Sequence, residues 1–99
     1  MSVLMVTSKI REEHVTEAQE AVDKLISALE REQLEGVRYA VTLMSDGVTI
    51  VAFLEIKPGQ EHPLRNFPEY VELLEKTDPW RAESASADLM TVLGSYHLF

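Results

Sequence analysis

Val37-Arg38-Tyr39-Ala40-Val41-Thr42-Leu43-Met44, then Ser45-Asp46-Gly47, then Val48-Thr49-Ile50-Val51-Ala52-Phe53-Leu54-Glu55-Ile56 is the stretch that decides the fold. It reads as two strands joined by a three-residue turn, with Gly47 able to take the positive φ that short hairpin loops demand. Side chains alternate between the two faces of a strand. In the second run one face carries Val48, Ile50, Ala52, Leu54 and Ile56. The other carries Val51 and Phe53, with Thr49 and Glu55 as its polar members. A strand that is apolar on both sides must be covered on both sides. One side is expected to meet helices of the same chain, and the other a second copy or an apolar ligand.

Working outward, Val3 to Ile10 reads as a strand that stops at the charged break Arg11-Glu12-Glu13. A helix is predicted from about Glu12 to Gln33. Val15, Ala18, Val22, Leu25, Ile26 and Leu29 recur at three- and four-residue steps and make its apolar stripe. Gly36 is the stop signal. After the hairpin, Lys57 to Asn66 is a loop broken by Pro58-Gly59 and Pro63. A second helix begins near Phe67, with Pro68 suited to its first turn, Asn66 as a cap, and Tyr70, Val71 and Leu74 on its apolar side. Pro79 ends it. Leu89 to Phe99 reads as a last strand, interrupted by Gly94. The order strand, helix, strand, strand, helix, strand is that of an α+β ferredoxin-like plait, one antiparallel sheet with both helices on one face. The most apolar strand suits a central position.

Composition narrows the function. The chain of 99 residues makes one domain, residues 1–99, with 45% apolar and 26% charged residues. Its net charge is −8, from 17 acidic against 9 basic residues, which argues against nucleic acid or an anionic membrane as partner. There is no cysteine, so thiol catalysis, thiolate metal sites and disulfides are excluded. A reducing cytoplasm is the expected compartment. Residues 1–7 lack the pattern of a secretory leader, and no apolar run reaches the ~20 residues that span a bilayer.

Several segments resemble the antibiotic biosynthesis monooxygenase-like group of the dimeric α/β-barrel superfamily. They are Gly36-Val37-Arg38-Tyr39, Phe53-Leu54-Glu55-Ile56, Glu61-His62-Pro63-Leu64, Phe67-Pro68-Glu69-Tyr70 and the closing Val92-Leu93-Gly94-Ser95-Tyr96. The chain looks most similar to small, mostly uncharacterised actinobacterial-type members. The resemblance covers nearly the whole chain and implies a homodimer in which two sheets pack face to face. It also implies a function of the kind found in the group: oxygenation of polyketide-type or quinol-type aromatics without a cofactor, or small-molecule binding without catalysis. The haem-degrading members carry an Asn on strand one, where this chain has Thr7 and Ser8, and this departure weighs against haem.

Seven residues are candidates for the site. Tyr39 and Tyr96, assigned to strands two and four, are expected to project towards one cavity and hydrogen-bond or deprotonate a phenolic oxygen; the alternative is amphipathic core or dimer packing. His62, in a proline-flanked loop, is the candidate general base, or an exposed loop histidine. Trp80 is expected to wall a planar ligand or to cover the end of the sheet. Arg38 either pairs with Glu55 across the hairpin or binds an anionic ligand. Glu55 is either a buried base or a residue reaching solvent. Phe53 either contacts a ligand or fills the pocket with Met5 and Met90. His14, His62 and His97 show no helical metal-ligand spacing, so no metal is expected. Four scattered glycines make neither a dinucleotide fingerprint nor a phosphate loop.

Overall fold

The computed structural model describes residues 2–98. Four strands, β1 (Ser2–Lys9), β2 (Tyr39–Leu43), β3 (Thr49–Ile56) and β4 (Ser86–Thr91), form one antiparallel sheet in the order β2-β3-β1-β4. Two helices, α1 (Val15–Glu32) and α2 (Pro68–Thr77), connect β1 to β2 and β3 to β4. This is the ferredoxin-like α+β plait, with β1 and β3 in the centre. No helix is long and apolar enough to cross a membrane.

The hairpin forms for local reasons. Gly47 has φ +77°, and the Asp46 carboxylate accepts hydrogen bonds from the backbone N–H groups of Val48 at 3.0 Å and Thr49 at 2.9 Å. The turn therefore satisfies the donors it exposes. From there the register places Tyr39 opposite Leu54 and Leu43 opposite Ile50. On the other side of β3, Leu4 lies opposite Leu54 and Ser8 opposite Ile50. Leu4, Val6, Ser8, Tyr39, Val41, Ile50, Ala52 and Leu54 thus share the face that the helices cover. Val3, Met5, Thr7, Ala40, Thr42, Val51, Phe53 and Glu55 share the opposite face.

Helix α1 buries Ala18, Ala21, Leu25 and Ala28. The spacing is the expected one, but the stripe is shifted towards alanines, and the helix packs against α2. Ala21, Leu25 and Leu73 form the core cluster, with Val22, Leu29, Tyr39, Phe67 and Tyr70 packed around it. Burial of Leu25 alone contributes about 1.5–3 kcal/mol.

Several boundaries depart from the sequence reading. Gln33, at φ 48°, supplies the left-handed residue that ends α1, and Gly36 acts only in the following turn. Phe67 rather than Asn66 precedes α2, with Pro68 in the first turn as expected. The last strand is Ser86–Thr91 and not Leu89 to Phe99; it pairs with β1 from Thr7 opposite Ser86 to Ser2 opposite Thr91. Phe99 lies outside the described residues. Leu93, Tyr96 and Leu98 are therefore exposed residues of a terminal segment, which with Val3, Phe53 and Met90 lines a groove on the face away from the helices.

Candidate functional site

An apolar cavity lies between the helix-covered face of the sheet and α2. Its floor is Leu4, Val6, Ala52 and Leu54, its roof Tyr70, Leu73, Leu74 and Thr77, and its polar groups come from Tyr39, His62, Tyr70 and Arg81. The free volume is about 60 Å³, less than half the ~150 Å³ of an engineered apolar cavity that holds benzene. Val22, Val41 and Ile50 line both this cavity and a second groove beside Leu43.

His62 is fixed by its own loop. The Leu64 N–H donates to His62 Nδ1 at 3.2 Å, and His62 Nε2 lies 3.3 Å from the Tyr70 hydroxyl. With Nδ1 accepting, the neutral ring must carry its proton on Nε2, which makes His62 a donor to the Tyr70 oxygen. Tyr70 then directs its own O–H elsewhere. The Tyr39 ring meets Tyr70 edge to face, with centroids 6.4 Å apart. Burial raises the pKa of both tyrosines; Tyr70 adds to the rise at Tyr39, and Arg81 opposes it at Tyr70. Burial first, and Arg65 second, lower that of His62. At neutral pH the three side chains are uncharged hydrogen-bonding groups.

Arg81 closes the cavity where the chain after α2 returns to β1. The Arg11 N–H donates to the Trp80 carbonyl at 2.8 Å and the Ala82 N–H to the Lys9 carbonyl at 2.8 Å, so the backbone around Arg81 is held to the end of β1. Its Nη1 reaches Asp78 at 2.7 Å and its Nη2 reaches the Thr77 hydroxyl at 3.5 Å. The Thr77 hydroxyl donates to the Leu73 carbonyl at 2.8 Å. Arg81 Nε is buried without a hydrogen-bond partner.

The expected site residues do not converge. Tyr39 and His62 line the cavity. Tyr96 does not share it with Tyr39: it is 88% exposed, beyond the end of β4, with its ring against His97. Phe53, Arg38 and Glu55 lie on the opposite face of the sheet because of strand parity. Arg38 and Glu55 form the cross-strand ion pair at 3.6 Å. That distance is too long for a hydrogen bond, which leaves buried Glu55 Oε2 without one. Trp80 stacks on His14, with centroids 5.4 Å apart and planes 13° apart, and does not line the cavity. Sequence reasoning passed over Tyr70, assigned only to the apolar side of α2, and Arg81. The usable signals were a hydroxyl on that apolar side and an arginine held between Trp80 and a strand start. Among the described residues, no group of three or more His, Asp or Glu could hold a metal ion.

No family model and no curated protein matches this chain. Solved structures do. An antibiotic biosynthesis monooxygenase from Nitrosomonas europaea superposes with a TM-score of 0.81 at 16% identity, over 95% of this chain and 100% of that one. One from Deinococcus radiodurans gives 0.74 at 12% identity, over 100% and 99%. A monooxygenase from Streptomyces coelicolor, solved in complex with nanaomycin D, gives 0.65 at 17% identity, over 96% and 89%. The chain thus has the fold of the antibiotic biosynthesis monooxygenase-like proteins, spanning essentially their whole length.

Proposed function

We propose that this protein binds a small aromatic or enolic molecule in the cavity beneath α2 and oxygenates it without a cofactor. The observation that carries this reading is the set of neutral donors, Tyr70 O–H and Tyr39 O–H, presented in an apolar enclosure. In such chemistry the ionised substrate itself passes electrons to oxygen. One oxygen atom becomes a new carbonyl or hydroxyl oxygen on the ring carbon, and the other leaves as water with two hydrogens that the substrate loses from that carbon and, where the carbon carries only one, from a hydroxyl. The tyrosines hydrogen-bond the oxyanion in a site where water is scarce, which is where such bonds count most. His62 acts through Tyr70 as a positioning donor, since its Nδ1 lone pair is already occupied. A neighbour of the same fold, a monooxygenase solved with nanaomycin D, supports a small-molecule ligand.

A second reading, non-catalytic binding, is favoured by the size of the cavity, which must widen towards the Leu43 groove to take even one ring. Oxygen uptake with a panel of quinols and dihydroxynaphthalenes separates the two. Uptake that falls about 10²-fold or more in Tyr70→Phe supports catalysis, by analogy with the loss of an oxyanion donor. Ligand binding without uptake leaves the binding module.

The reading includes a homodimer through the sheet face that the helices leave bare. The chain exposes 6567 Å², whereas a compact 11.2 kDa monomer exposes about 5,700 Å². The surplus of about 900 Å² is close to the ~800 Å² that each partner contributes to a standard stable interface. Light scattering on the purified protein tests it, with twice the chain mass expected.

A further inference from the structure

We propose that Arg81 makes the cavity an anion site, so that the ligand is taken as its phenolate or enolate rather than as the neutral molecule. This deepens the proposed function and rests on its cavity. Among the described residues lining that cavity, Arg81 carries the only permanent charge. Two of its nitrogens are committed, Nη1 to Asp78 and Nη2 to Thr77, while Nε–H is buried with no acceptor. A buried unsatisfied donor on a cation costs free energy that an anionic oxygen would recover. Asp78 does little to cancel the charge, because its side chain is 78% exposed and well hydrated. The positive charge therefore stands at the wall of an apolar space.

The rest of the wall points the same way. Deprotonating a neutral phenol in place needs a base. His62 has its Nδ1 lone pair bonded to Leu64 N–H and its Nε2 proton against Tyr70. Burial holds Tyr39 and Tyr70 as neutral hydroxyls. The Thr77 hydroxyl donates its hydrogen bond to the Leu73 carbonyl. The ligand's ionisation is thus stabilised by a fixed charge rather than made by a side chain. The titratable groups around Arg81 are Asp78 from the turn after α2, Tyr70 and Glu75 from α2, His62 from the preceding loop and Tyr39 from β2; Glu75 and Asp78 share with Arg81 an outer groove rather than the cavity, and the other three are uncharged at neutral pH.

The test is isothermal titration of the full-length protein, at mildly alkaline pH, with a single-ring nitrophenol that is ionised there and with its neutral methyl ether. The nitrophenolate is expected to bind at least ten times more tightly than the ether. Arg81→Gln is expected to remove that preference by weakening phenolate binding at least tenfold, and Arg81→Lys to keep part of it. Circular dichroism of each variant confirms the fold, and the comparison of the two ligands on the unaltered protein stands without any variant. Equal affinity for phenolate and ether overturns the anion site but leaves the cavity and the proposed chemistry standing. Failure of both ligands to bind overturns the cavity reading together with the inference. A phenolate preference without oxygen uptake supports the anion site and removes only the oxygenase reading.

Discussion

The hydrogen bond between His62 and Tyr70 gives a prediction whose size follows from its geometry. Tyr70→Phe removes one hydroxyl and leaves the His62 Nε2–H without its acceptor. A neutral hydrogen bond contributes about 0.5–1.5 kcal/mol net. At 3.3 Å and partly buried, this one falls in the lower half of that range, about 0.5–1 kcal/mol. For a domain of this length, that corresponds to a fall in Tm of about 2–8 °C. His62→Ala also removes the acceptor of the Leu64 N–H and costs more, since Leu64 is fully buried. In the double variant the hydroxyl deletion has nothing left to break, so the two effects should fall short of additivity by about 0.5–1 kcal/mol. Denaturant melts of the four proteins measure this coupling, and nitrogen-15 shifts of the His62 ring report the tautomer. Strict additivity, or a proton found on Nδ1, would refute the assignment of His62 as a donor and return it to the role of candidate base.

Other consequences can be checked on the same material. Leu25→Ala empties a fully buried position in the core cluster and is expected to cost about 2–5 kcal/mol, read from urea melts. Lowering of the His62 pKa on folding means that the unfolded chain takes up the proton first. The stability it contributes is therefore complete above the unfolded value near 6.5 and is lost as pH falls through the lower folded value; melts of wild type and His62→Ala across that range should converge at the acid end. Replacing Arg81 with Gln removes the charge that opposes the burial effect on Tyr70, so ultraviolet titration should show Tyr70 ionising at still higher pH. Phe53→Asp places a charge in the middle of the bare sheet face and is expected to halve the mass seen by light scattering, with the Tyr70 site left intact.

The α+β class was legible because it rests on periodicities that each segment carries by itself: alternation in Val48–Ile56, three- and four-residue steps in α1, and Pro68 and Pro79 around α2. The turn chemistry of Asp46 and Gly47 is equally local. The two-faced apolar character of β3 depends only on strand geometry, so the sequence alone marks a sheet face that its own helices do not cover. What the sequence could not decide was which side chains meet. Arg38, Phe53 and Glu55 sit close to Tyr39 and Leu54 along the chain or across the hairpin, yet strand parity sends them to the far side of the sheet. Tyr96 lies beyond the end of β4, an element made by pairing with β1 far away in the chain. His62, Tyr70 and Arg81 lie on a loop, a helix and a strand approach, and only the packing of α2 over the sheet brings them around one cavity. Local periodicity determined the elements; the site was decided by the burial of those elements against each other, which acts between residues distant in the chain.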